Sequence, residues 1–209
     1  MFALMLVGFA IADIGVVVVA VTRYPAFFSQ PGARLAIAEP IVALVVCAGS
    51  VTLVGWKREK HLHTIFKVAA ICGVIAAAFE ALNIAIENST ANSPAITLGL
   101  MVGIFLSWGI AGFGAKRTSG DFRSAILAAV LSAAICMLLA VTVGFTLELL
   151  LQPPDPSSVA TWAEYKRSGW TDPRAFAIAN TFDSGFTHLI EAPFVAILTG
   201  IVGSFLAGE

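Results

Sequence analysis

The stretch NTFDSGFTHLIEAPFVAILTGIVGSFLAG (residues 180–208) begins with polar residues and continues into a long apolar run. Asp183, His188 and Glu191 lie close together in a segment that is long enough to cross a bilayer. Ionisable side chains inside a membrane are costly and usually functional. The stretch therefore predicts a membrane helix with a polar site at one end.

The composition of the whole chain agrees with a membrane protein. Hydrophobic residues make up 58% of the 209 residues and charged residues only 12%, with a mean hydropathy of +0.91. Soluble domains contain about 25% charged residues. A soluble core could not hide this much apolar surface. We therefore predict an all-α, polytopic membrane protein, with residues 1–209 forming one integral membrane domain.

Six apolar segments approach or exceed the ~20 residues that cross a bilayer. They cover residues 2–22, 35–56, 64–87, 94–115, 122–151 and 174–207. Apolar residues occur all round each segment, as expected for helices that face lipid. The first segment has no basic leader and is interrupted by Asp13, so we interpret it as a retained helix rather than a signal peptide.

The distribution of lysine and arginine predicts the orientation. The loops around 57–67 and 116–123 hold seven of the twelve basic residues. Because cytoplasmic loops are enriched in Lys and Arg, both termini are predicted to be cytoplasmic. We expect a bacterial inner membrane. The lipid bilayer is the predicted partner, and the net charge of −1 without a basic stripe argues against nucleic acid.

One ridge of the last span consists of small and polar residues at a spacing of four. It reads Asn180, Ser184, His188, Ala192, Ala196, Gly200, Ser204, Gly208. Small residues at this spacing allow two membrane helices to approach closely. The Ala192/Ala196/Gly200/Ser204 face is therefore predicted to pack against another helix, or to form the interface of a homo- or hetero-oligomer.

The third span carries a second polar stripe, formed by Glu80, Asn83 and Glu87. Their spacing of three and four residues places them on one helix face. The third and last spans run in opposite directions, so Glu80 lies at the depth of Glu191, and Glu87 at that of Asp183. We expect the two stripes to face each other as an antiparallel ladder.

Three further acids fall within or near the spans, at Asp13, Glu39 and Glu148. An ionised residue at the centre of a membrane helix costs on the order of 2.5–3.5 kcal/mol on insertion scales. Several unpaired carboxylates would be prohibitive, so protons, water, hydrogen bonds or a bound cation must neutralise them.

The leading functional prediction is therefore transport or binding of a cation, either a proton or a divalent metal. Carboxylates with one imidazole suit hard or borderline divalent ions, so the expected cofactor is a divalent metal ion. The predicted metal ligands are Glu80, Glu87, Asp183, His188 and Glu191. The predicted supporting polar residues are Asn83, Thr187, Ser184, Asn180 and Asp13.

Two alternatives from other classes stay open. The chain could be a non-catalytic subunit of a larger membrane complex that uses the small-residue face. It could also be a membrane-embedded, metal-dependent enzyme that acts on an apolar substrate. The spacing of Ser184 and His188 allows contact, but no nucleophile-elbow sequence accompanies it. We therefore prefer a binding or transport role to an enzymatic one.

Overall fold

The computed structural model describes residues 2–56, 59–87, 93–151 and 159–208, which form an all-α bundle. Its helices are α1 (Phe2–Arg23), α2 (Ala33–Trp56), α3 (Lys60–Glu87), α4 (Pro94–Ser119), α5 (Phe122–Phe145), α6 (Val159–Ser168) and α7 (Pro173–Leu206). Every helix except α6 is long and apolar enough to cross a membrane. The predicted fold class is confirmed.

Several helices extend further than their apolar segments. α3 begins at Lys60 and α4 continues to Ser119, so both include basic residues that were expected in loops. Lys and Arg can follow a helix out of the membrane because their long stems lie along apolar surface while the charge reaches water. α4 stops at Gly120, whose left-handed φ of 71° ends the helix.

Helix α5 is the centre of the bundle. It packs against α1, α2, α3, α4 and α7. In its most apolar window 67% of residues are buried, against 33–44% in the other five spans. Ala125, Ala128 and Ala129 are completely buried on it. These small side chains let the neighbouring helices approach the central one on several sides.

The end of α5 changes its winding. A π-helical turn, Thr146–Leu151, continues the helix, and the Thr146 N–H donates to the carbonyls of both Thr142 and Val143. The wider turn carries Glu148, whose carboxylate accepts a 3.1 Å hydrogen bond from the Thr181 hydroxyl of α7. π-Turns inside long helices occur frequently at functional sites.

The small-residue ridge of α7 packs within the chain. Ala192, Ala196, Gly200 and Ser204 are all buried. A Cβ placed on Gly200 would lie 2.9 Å from the Cβ of Ala129 on α5. The close helix approach predicted for this face is therefore an intramolecular one. Oligomerisation stays a prediction, and an interface would have to use another surface.

The closest approach joins α7 to α4. A Cβ on Gly203 would meet the carbonyl oxygen of Gly109, and one on Gly112 would lie 3.0 Å from the Cα of Gly200. Backbone atoms cannot move aside as a side chain can, so only glycine fits at these positions.

We expect Gly203→Ala to destabilise the bundle by about 1–3 kcal/mol, the usual cost of overpacking. Gly99→Ala is the matched control, because a Cβ at Gly99 on α4 meets nothing within 4 Å. Thermal unfolding in detergent measures both variants. Equal unfolding midpoints for the two would contradict the assigned α4–α7 packing.

The connection between α1 and α2 is hydrogen-bonded to the start of α7. These two segments mark one side of the bundle, which we call the Gln30 side. The side-chain carbonyl of Gln30 accepts from the Thr171 N–H at 2.9 Å, the Thr171 hydroxyl at 3.0 Å and the Asp172 N–H at 3.2 Å. Phe27 packs edge-on against Trp170 with centroids 5.5 Å apart. α1, α3 and α5 end on this side, and α2, α4 and α7 begin there.

Asp172 caps α7 and anchors Tyr24. Its carboxylate accepts from the Arg174 and Ala175 N–H groups at 2.9 Å each and from the Tyr24 hydroxyl at 2.7 Å. Partial burial acts to raise the pKa of Asp172, but the hydrogen bonds from Ala175, Tyr24 and Arg174 outweigh it and hold the pKa below its usual value. The charged carboxylate is therefore the form that the fold stabilises.

At neutral pH, Tyr24→Phe should lower the free energy of unfolding by about 1 kcal/mol, because a hydrogen bond to a carboxylate is lost from a largely solvated site. A depressed pKa contributes stability above the unfolded value of about 3.9, and that stability is lost as the pH falls through the folded pKa. The difference between wild type and Tyr24→Phe should therefore shrink in acid. Unfolding midpoints against pH test this, with Tyr165→Phe as the control; a difference that is independent of pH would contradict it.

Candidate cation site

Two adjoining cavities lie between α3, α4, α5 and α7. The one nearer the Gln30 side has a volume of ≈ 150 Å³, and the deeper one ≈ 180 Å³. Glu80, Met101, Met137 and His188 line both cavities. We call the two together the polar cleft. Its other polar lining residues are Asn83, Glu148, Thr181 and Ser184 in the first cavity and Trp108 and Glu191 in the second.

Acids from two distant helices meet in the cleft. Glu80 of α3 and Glu191 of α7 line the same deeper cavity. Glu80 is buried in the wall, whereas Glu191 and His188 are exposed. The side chains therefore converge on a shared space, as the sequence pattern led us to expect.

The antiparallel ladder between the two stripes does not form as predicted. α3 and α7 each pack extensively on α4 and α5 rather than on each other. The two polar stripes therefore meet across a cavity with α4 and α5 as its walls. The sequence indicated the depth of each acid, but not which helices would be neighbours.

Only one face of the polar half of α7 lines the cleft. Ser184, His188 and Glu191, spaced by four and three residues, are on that face. Asp183, Thr187 and Asn180 are not among the residues that line the cleft. Asp183 is exposed on another face of the helix.

The α3 stripe contributes two of its three members to the cleft. Glu80 and Asn83 are buried, with 8% and 3% of their surfaces exposed, and both line it. Glu87 is the last residue of α3, but its side chain lies outside the part of the chain that the structure describes.

The tautomer of His188 follows from its hydrogen bond. Its Nδ1 lies 2.7 Å from the backbone carbonyl oxygen of Ser184. A carbonyl only accepts, so Nδ1 carries the proton and Nε2 of the neutral ring is left as an acceptor. This bond to the backbone gives no support to a Ser184–His188 hydrolase pair.

Sequence reasoning missed several lining residues. Glu148 was known only as an acid near the end of the fifth span, and Thr181 was not singled out. The π-turn and the Thr181–Glu148 hydrogen bond place both in the cleft. A π-turn has no recognisable sequence signal, so only the polar character of Glu148 could have indicated its role.

Asp13 lies apart from the cleft. Its side chain is completely buried on α1, which packs against α2 and α5. Among the described residues no hydrogen bond reaches either carboxyl oxygen, and the hydroxyl of nearby Thr142 donates instead to the Leu138 carbonyl at 3.0 Å. Asp13 therefore does not support the candidate site.

The predicted metal ligands do not form one coordination shell. Among the residues that the structure describes, no three His, Cys, Asp or Glu side chains are close enough to hold a metal ion. Glu80, His188 and Glu191 all line the deeper cavity, whereas Asp183 is not among its lining residues. The arrangement suits a ligand that extends along the cleft, or protons on separate acids.

No family model, curated protein or solved structure matches the chain. The function must therefore be inferred from the chemistry of the cleft.

Water access to the cleft can be measured with cysteine reagents. In a variant that lacks the three native cysteines, Ser184→Cys should react with a charged, water-soluble methanethiosulfonate, because Ser184 lines the more polar cavity. Leu198→Cys on the same helix should react much more slowly, because Leu198 lines only apolar surface. Mass spectrometry of labelled proteoliposomes gives both rates. Equal labelling would contradict a hydrated cleft.

Proposed function

We propose that the chain is a membrane protein that binds a cation in the polar cleft, as a transporter or a binding protein, with Glu80, His188 and Glu191 as the core of its site. The observation that carries the proposal is that Glu80 and Glu191 line one cavity although their helices are separated by α4 and α5. Carboxylates that line a cavity within a membrane-spanning bundle attract protons and other cations.

The charges around the cleft favour a cation as its ligand. Glu80, Glu148 and Glu191 are the acids that line it, and its described lining residues include no lysine or arginine. His188 is left with an acceptor nitrogen by its bond to Ser184. An anionic ligand would be repelled by these carboxylates, whereas a cation or a hydrogen-bond donor would find several acceptors.

A proton or an organic cation fits the cleft better than a bare divalent metal. A metal ion needs several ligands within about 2–2.6 Å of one point. The described acids and histidine are not grouped in that way. Protons need no shared coordination point, and an organic cation can contact acids at different depths.

The location and orientation of the protein are also proposals. We place it in a bacterial inner membrane with both termini in the cytoplasm, on the strength of the basic loops around 57–67 and 116–123. The Gln30 side then faces outward, and the cleft lies toward the outer surface of the membrane.

The alternative role as a non-catalytic subunit has lost its specific support. That role would use the small-residue face of α7 as the interface, and this face is buried against α4 and α5 within the chain.

The proposal predicts that reconstituted protein binds or takes up at least one of three probe cations: the proton, tetramethylammonium or Mn²⁺. Glu80→Gln and Glu191→Gln should reduce that signal to the level of protein-free liposomes, because each removes a negative charge from the cleft. A pH-sensitive dye inside the liposomes reports protons, and isotope or metal analysis reports the other two.

Glu39→Gln is the matched control, since Glu39 is on α2 and is not among the lining residues of the cleft. Wild-type protein that neither binds nor moves any of the three cations would overturn the proposal. So would a signal that survives in both the Glu80 and the Glu191 variant.

A further inference from the structure

A long apolar groove runs along the seam between α4 and α7. It has a volume of ≈ 560 Å³ and extends from Val102 to Phe113 on α4 and from Leu198 to Leu206 on α7. At ~1.5 Å per residue the α4 wall is about 16 Å long. Leu106, Ile110 and Leu198 expose 58–64% of their surfaces, so the groove is open along its side. Its size and apolar walls suit an extended hydrocarbon chain.

The groove is continuous with the polar cleft. Phe105 lines both, and Val195 of the cleft is followed one helical turn later by Leu198 and Thr199 of the groove. Glu191 of the cleft is one further turn toward the Gln30 side. One seam therefore presents an apolar segment and a carboxylate-lined segment in succession.

The order of these segments matches an amphiphile in a bilayer. Glu148 and Thr181 lie at the end of the cleft near the Gln30 side, Glu80 and Glu191 lie deeper, and the groove continues toward the opposite side. A lipid-like molecule in the leaflet on the Gln30 side has the same order of headgroup and chain. In the seam it would lie deeper than a bilayer lipid, because the groove reaches Leu206, the last residue of α7, and Phe205 packs against Phe122, the first residue of α5. Such a ligand can reach the cleft sideways from the bilayer.

The lining of the cleft indicates the charge of the headgroup. Glutamates line it and no described lysine or arginine does, so a phosphate or carboxylate headgroup would be repelled. Phe105 and Trp108 pack edge to face at 5.5 Å where the groove meets the cleft. Trp108 is buried, but Phe105 is 40% exposed, and its ring can attract an ammonium group.

We propose that the cation bound by this protein is the ammonium headgroup of an amphiphile, whose single apolar chain lies in the α4–α7 groove while its headgroup lies between Glu80 and Glu191. The inference rests on the proposed function, because it names the ligand of the same site. It assigns the groove to a chain that belongs to the ligand, rather than to bulk phospholipid.

Photo-crosslinking of the protein in zwitterionic nanodiscs tests the inference. The probe is a long-chain trimethylammonium with a diazirine at the end of its chain, and the matched probe carries a carboxylate headgroup on the same chain. We expect the ammonium probe to label residues 102–113 and 198–206 saturably. The carboxylate probe should label lipid-facing residues of several helices without saturation.

Two variants distinguish the contribution of the headgroup to binding from that of the apolar chain. Glu191→Gln should reduce the saturable labelling by about tenfold, equivalent to about 1.4 kcal/mol. Val202→Trp should do the same by filling the groove, and it is a mild substitution because Val202 is 57% exposed. The controls are Glu39→Gln for the charge and Leu53→Trp for the bulk, since Leu53 is 71% exposed on α2.

The outcomes distinguish this inference from the proposed function. If both probes label the groove equally, or if the Glu191 and Val202 variants label like wild type, the groove holds ordinary lipid and the inference is overturned. If tetramethylammonium, protons or Mn²⁺ still depend on Glu80 and Glu191 in that case, the proposed function stands without it. If no cation depends on them, both proposals are overturned.

Discussion

The contact of α7 with α4 and α5 through glycine and alanine is the constraint on which the rest of the structure depends. Lipid tails are as apolar as the helices, so the hydrophobic effect does not drive helices together in a bilayer. Their association relies on close packing instead. Gly200 and Gly203 supply it, because their backbone atoms approach Ala129, Gly112 and Gly109. These contacts lie in the half of α7 away from the Gln30 side. They fix α7 against the bundle and leave its polar half next to a space that α3, α4 and α5 enclose.

The polar cleft explains how acidic side chains inside the bundle can be solvated. Glu80 is buried on α3, and an isolated ionised acid at that position would be expensive. The cleft brings Glu148, His188 and Glu191 to the same space, where water, protons or a cation can reach all of them. The grouping also supports the proposed chemistry, because carboxylates gathered without Lys or Arg among the described lining residues attract positive charge.

Much of the fold and part of the site could be predicted from the sequence. The length and apolarity of the segments predicted the six spans. The small and polar residues spaced by four along α7 predicted that one half of this helix packs closely and that the other half is polar. The depth of Glu80 and Glu191 followed from helix rise and direction. The sequence did not predict which helices would be neighbours, because apolar surfaces without a strong stripe are compatible with many packing arrangements. The placement of Glu148 depends on a π-turn, and helix α6 packs on α7 through Tyr165, whose ring centroid lies 5.8 Å from that of Phe176; the sequence pattern indicated neither.

The described lining of the cleft contains three acids and no Lys or Arg, and this limits how a ligand can bind. Under the proposed function, the cation that binds between Glu80 and Glu191 shares these acids with protons, which are the cations always available in water. An ammonium headgroup binds these carboxylates in their ionised form, whereas a proton neutralises them. The two cations then compete for one set of acids, and binding of either is linked thermodynamically to loss of the other. Such competition in a single site is the physical requirement for exchange of a proton against an organic cation, and it needs no second binding site elsewhere in the bundle.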